Sequence, residues 1–126
     1  MYLANFNDYK YFTKEEFECK NTGNCLMQKD FMDQLTILRE TIGRPFIISS
    51  GYRDPSHPIE ARKKKPGQHT KGNAVDLLVN GPHAYEIIKE AMAMGVFKGI
   101  GFQQKGAHST RFIHLDTRIE PAIWSY

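Results

Sequence analysis

Two cysteines, one tryptophan and no long apolar run mark what this chain of 126 residues has little of. The cysteines, Cys19 and Cys25, flank Lys20-Asn21-Thr22-Gly23-Asn24. That spacing does not suit a CxxC zinc knuckle, and no further ligands stand nearby. The pair could close a small disulfide loop. However, Met1 to Asp8 shows no basic region followed by an apolar one, so no secretory signal is visible and free thiols are expected. No stretch approaches the roughly 20 apolar residues that span a membrane. Neither sign of charge dominates: 17 basic residues face 14 acidic ones, for a net +3. Much of the excess is Arg62-Lys63-Lys64-Lys65, read as a solvated loop or helix end. Such a cluster can meet an anionic polymer, but no aromatic or recognition-helix pattern accompanies it, so no nucleic-acid partner is expected. Repeats, low-complexity segments and linkers are missing too. The expectation is a single domain over 1–126, long enough to bury a real core.

What is present reads as alternating helices and strands. Thr13 followed by Glu16 forms a capping-box pattern, with Phe12 and Phe17 as apolar anchors. Phe31, Leu35, Leu38 and Ile42 recur at helical spacing from about Gln28, and Gly43 supplies the stop. Phe46-Ile47-Ile48 begins a strand that leads into Ser49-Ser50-Gly51-Tyr52-Arg53. Ile59 to Lys65 reads as a short helix, broken by Pro66-Gly67. Ala74 to Val79 is a short apolar strand apart from Asp76. Gly81-Pro82 opens a helix through Met94, with Ala84, Ile87, Ile88, Ala91 and Met92 inward. Lys98 to Gln103 and Arg111 to Thr117 are strands, and the tail with Pro121 and Trp124 packs back on the core. Helix, strand, helix and then several strands give an α+β class, with a mainly antiparallel sheet and helices on one face.

Two stretches carry polar residues where apolar ones belong. In Gly67-Gln68-His69-Thr70-Lys71-Gly72-Asn73-Ala74-Val75-Asp76, a carboxylate stands at the mouth of a buried strand. It must be paired, hydrogen-bonded or metal-bound. In Phe112-Ile113-His114-Leu115-Asp116, strand alternation turns Ile113 and Leu115 one way and His114 and Asp116 the other. Three ligands and one open position make a catalytic zinc site. His69, Asp76 and His114 are the candidate set. Read singly, a loop histidine is a surface group, Asp76 a cap and His114 a satisfied strand residue; their shared setting beside apolar strands weakens these readings jointly, but spacing alone does not make the metal the favoured one.

At these residues the chain resembles the zinc D-Ala-D-Ala carboxypeptidase family. These bacterial and phage peptidoglycan peptidases share their fold with hedgehog signalling domains. Ser50-Gly51-Tyr52-Arg53 resembles the family's SGYR signature. His69 to Asp76 resembles HxxGxAxD, and Phe112 to Asp116 resembles the late F-[VI]-H-[VIL]-D strand. The resemblance covers roughly residues 28 to 126 and is closest to compact phage-encoded members. It implies His69, Asp76 and His114 as zinc ligands. It also implies that Arg53 grips a substrate carboxylate or the carbonyl oxygen under attack, with Ser50 and Tyr52 beside it at the substrate. Several members place an acidic base three residues before the last histidine, where this chain has Arg111. Asp116 is then the candidate base, or else a group that orients a ligand. His108 and Glu60 are weaker candidates, and His57 and His83 have no assigned role.

The expected function is zinc-dependent hydrolysis of peptide bonds in peptidoglycan stem peptides or crosslinks, as carboxypeptidase or endopeptidase. The chain is expected to be a monomer made in the cytoplasm, acting on the cell wall after release or as a virion component. One rival is a metal-bearing virion module without turnover. Another is a non-haem iron oxygenase suggested by His114-x-Asp116, for which the chain has too few strands.

Overall fold

The structure is a computed structural model and describes residues 2–126; Met1 lies outside it. Four helices are formed: α1 (Lys14–Phe17), α2 (Lys29–Ile42), α3 (Pro58–Ala61) and α4 (Gly81–Met94). Five strands join in one sheet: β1 (Ile48–Ser50), β2 (Ala74–Leu78), β3 (Gly99–Gln103), β4 (Phe112–Asp116) and β5 (Ala122–Ser125), in the order β1-β2-β4-β3-β5. All pairings are antiparallel except β3 with β5. The fold is α+β, as expected.

Local chemistry explains the boundaries. At α1 the Thr13 N–H donates to Glu16 Oε1 at 2.8 Å, half of the capping-box pattern. Gly43 ends α2 and Gly95 ends α4, both with φ near 75°, in the left-handed region where glycine has no steric penalty. The helix expected over 59–65 stops at Ala61, and the basic run 62–65 is exposed. Glu60, within α3, turns its carboxylate back to the Gly67 N–H instead of leaving the chain free to wind on. The strand expected from Phe46 begins at Ile48, and a bulge between Ile48 and Ser50 shifts its register with β2. The tail does more than pack: it adds β5 as a parallel edge.

The core lies between the sheet and the helix pair α2 and α4. Phe31, Leu35 and Leu38 of α2 and Ala84, Ile87 and Ala91 of α4 share one cluster with Val75, Leu77, Ile100, Ile113 and Leu115 of the sheet. The register sets Val75 opposite Leu115 and Leu77 opposite Ile113, so one sheet face is continuously apolar. The other face carries a cross-sheet row at register positions Ser50, Asp76, His114, Gly101 and Trp124. That row positions the site. Cys19 and Cys25 are free thiols. Among the described residues no helix is long and apolar enough to cross a membrane.

Candidate metal centre

Asp76 and His114 face one another because β2 and β4 pair at that register. His69 arrives from a different element, a 3-10 turn over Gln68–Lys71. Gly72 closes that turn at φ 73°, and a Cβ there would collide with the Leu26 carbonyl, so both conformation and space demand glycine. Gly51 has a related job. A Cβ on it would lie 2.7 Å from the Phe17 Cα, and its carbonyl accepts from His69 Nδ1 at 2.7 Å.

The three residues are buried and offer donor atoms within 4.8 Å of one another. His69 Nε2 lies 3.3 Å and His114 Nδ1 2.9 Å from Asp76 Oδ1. The protons can be assigned from the partners. A carbonyl only accepts, so His69 Nδ1 carries a hydrogen and Nε2 keeps its lone pair. His114 Nε2 meets Asp116 Oδ2 at 2.6 Å. Asp116 also receives Arg118 Nε at 2.9 Å, Arg118 Nη2 at 2.6 Å and the Arg118 backbone N–H at 3.0 Å. Burial would lift the Asp116 carboxyl, but these bonds outweigh it and hold it well below the usual range. Asp116 is therefore an anion and His114 Nε2 donates to it, so while both imidazoles are neutral His69 Nε2 and His114 Nδ1 each keep a lone pair. Two lone pairs thus converge on one carboxylate oxygen. A single added proton relieves one of these contacts; a single cation relieves both. Tetrahedral zinc with bonds near 2.0–2.1 Å separates its ligands by about 3.3 Å, so this donor set fits the ion.

The electrostatics agree in direction. Burial disfavours the Asp76 anion, yet His114 and His69, each able to donate to it once protonated, hold its carboxyl well below the usual range. Burial pulls His114 down, but Asp116 and Asp76 together push it up.

The other expected site residues divide. Arg53 is near: its Nη2 stands 3.6 Å from Asp76 Oδ2, and its Nη1 donates to Glu60 Oε2 at 3.1 Å. Ser50 pairs with Asp76 in register. Tyr52 is 4% exposed and belongs to the hydrophobic cluster, so its expected substrate contact gives way to packing. Asp116 lies beyond His114, on the ring nitrogen away from Asp76, with both oxygens occupied; it is turned from where a base would act. Arg111 bonds the Gly106 carbonyl and is not at the site. His57 caps α3 through Nδ1, and His83 and His108 are exposed.

Sequence reasoning missed four participants. Arg118 holds Asp116. Trp124 packs its ring 5.2 Å from His114 and 4.6 Å from the Arg118 guanidinium. Gly99 and Gly101 leave room for them: a Cβ on Gly99 would collide with the Asp116 carboxylate, and one on Gly101 would lie 2.5 Å from Trp124 Nε1. The i,i+2 glycines in an otherwise apolar strand were the available signal.

The chain can now be set beside known proteins. It is 34% identical over 92 residues to the peptidoglycan L,D-endopeptidase MepK of Escherichia coli (strain K12), and equally to those of Escherichia coli O157:H7 and Shigella flexneri. The match covers 68% of this chain and 48% of each relative, so the chain spans about half the length of the curated relatives it matches. The peptidase M15 family model matches residues 10–116, a range that takes in Arg53, all three donors and Asp116. By that match, running over most of its length, the chain belongs to the peptidase M15 family.

Proposed function

We propose that this protein is a zinc-dependent peptidase that cleaves peptide bonds in peptidoglycan stem peptides or their crosslinks. The observation that carries the reading is the convergence of two buried imidazole nitrogens on Asp76 Oδ1. Family membership and the relatives' printed activity support the substrate class. His69, Asp76 and His114 would hold the zinc. When bound, zinc supplies a Lewis acid and acidifies a water toward neutral pH.

The chain's own residues do the rest. Gly51 fixes the His69 tautomer through its carbonyl. Asp116, clamped by Arg118, fixes that of His114; of the two roles open to Asp116, this orienting one fits its bonds. Arg53, partly exposed beside Asp76, presents a planar fork to a carboxylate or to the oxygen that gains charge during attack. Trp124 covers the ring of His114 and keeps water from that side.

The test is hydrolysis of purified cell wall with His69→Ala alongside. Release of new amino termini by the native chain, lost in a folded variant, is the expected result; equal rates would sink the reading. One observation favours a second reading, a metal-bearing module without turnover. Position 111 is arginine, and Asp116 is turned away from the donor set. That reading expects zinc uptake with no wall hydrolysis.

A further inference from the structure

Glu60 has no apolar reason to be where it is. It sits on the four-residue helix α3, yet its side chain is 0% exposed. A carboxylate in such a place must be matched by donors, and it has three. The Gly67 N–H donates to Oε1 at 2.9 Å. Lys63 Nζ and Arg53 Nη1 each reach Oε2 at 3.1 Å. Burial would raise the Glu60 carboxyl, but these partners outweigh it and hold it low, so it is anionic. Lys63 is largely solvated, and its share is screened. The other two partners matter for the site. Gly67 precedes the turn that carries His69. Arg53 stands between two carboxylates, 3.1 Å from Glu60 and 3.6 Å from Asp76.

That placement has a chemical consequence. Arginine has five N–H donors in a rigid fork. Among the described residues, the side-chain hydrogen bond Arg53 makes is the one from Nη1 to Glu60. Nη2 lies 3.6 Å from Asp76 Oδ2, beyond hydrogen-bond reach, so Nη2 and Nε keep hydrogens that an incoming oxygen can accept. Without the Glu60 anion, the nearest negative charge to the guanidinium would be Asp76. The fork would close on that carboxylate, spending its free donors and competing with a cation for the same oxygens.

We infer that Glu60 is a positioning residue: it draws Arg53 off the metal-binding carboxylate and aims the free side of its fork at the substrate. The inference rests on the proposed role of Arg53 and adds the residue that makes that role available. The Gly67 bond ties the same anchor to the His69 turn, so the substrate grip and one donor share a foundation.

The experiment uses zinc-loaded protein and reads Glu60→Gln in the native and Arg53→Ala backgrounds. In the native background kcat/KM on purified cell wall falls about 10-fold, the loss expected for a charge-assisted hydrogen bond, while zinc content stays unchanged. In the Arg53→Ala background the same change has no further effect. An equal loss in both backgrounds overturns the inference. Side-chain NMR of Arg53 supplies a readout that needs no turnover. Its guanidinium N–H signals are resolved in the native protein and collapse in Glu60→Gln; unchanged signals overturn the inference even if the native chain does not cleave wall. If the glutamine variant fails to fold, Glu60→Asp is read instead. Its shorter arm pulls the guanidinium back, so KM rises at constant zinc content, and an unchanged KM has the same adverse meaning.

Discussion

The two faces of β4 are buried alike and built differently. Ile113 and Leu115 are 0% exposed on one side; His114 at 4% and Asp116 at 0% occupy the other. On the apolar face any well-shaped neighbour will do, because dispersion and water exclusion are non-directional. On the polar face every lone pair and N–H must find its own counterpart, since an unmatched buried group costs more than a bond contributes. Asp116 finds its counterparts in Arg118 and His114. His69 and His114 do not finish the pairing: in their neutral forms they set two lone pairs against one oxygen. Burial depth alone therefore does not separate core from site in this fold. The separating property is whether the buried groups complete one another without help from outside.

That contrast can be broken most directly at His114. His114→Ala reduces zinc from about one per chain to background, read by metal analysis on folded protein. Retained stoichiometry would mean that the polar face does not depend on its donors. The next largest effect belongs to the opposite face. Leu115→Ala costs about 2–5 kcal/mol in denaturant unfolding, while the folded fraction still takes up zinc. Loss of uptake there would show the faces to be coupled. Asp116→Asn sharpens the contrast within the polar face. It keeps shape but removes charge, and zinc affinity weakens about 10- to 100-fold by competition titration. The smallest effect is a pH slope in metal-free protein. Asp76 and Asp116 are held low, so their contribution is present above the unfolded value near 3.9 and is lost as pH falls through the folded ones. His114 is pushed up, so its contribution is present below about 6.5 and is lost as pH rises through its folded value. Metal-free protein is then most stable between about 4 and 6.5. Zinc removes the alkaline limb, because the cation replaces the proton. A flat melting temperature between pH 5 and 9 without metal would contradict the assignment.

Much of this was readable from the chain. The periodic helices α2 and α4 and their glycine stops announce themselves locally, since hydrogen bonds and apolar faces repeat within a few residues. Asp76 and His114 stood out because polar residues inside apolar strands break a pattern, whereas His69, on a turn, was singled out by the HxxGxAxD resemblance. What was hidden is non-local. Nothing near Asp116 says that Arg118 will fold back onto it, or that Trp124 from another strand will cover both. Glu60 read only as a weak candidate base because its partners, Arg53 and Gly67, each lie seven residues away, outside α3. Tyr52 read as a site residue because it adjoins Arg53 in the SGYR stretch, but its ring packs into the hydrophobic cluster. The parallel β5 had no signal, for Ala122-Ile123-Trp124-Ser125 is short and its alternation weak.

Gly99 and Gly101 have one more consequence, in mutational tolerance. Neither has a side chain to bind, donate or react, yet the space beside each is already filled by Asp116 and Trp124. A saturation scan scored on turnover would rank these two positions with the metal donors as intolerant. On the polar face of the sheet β3 is bare at Gly99 and Gly101, so an empty position there constrains substitution as a charged one does.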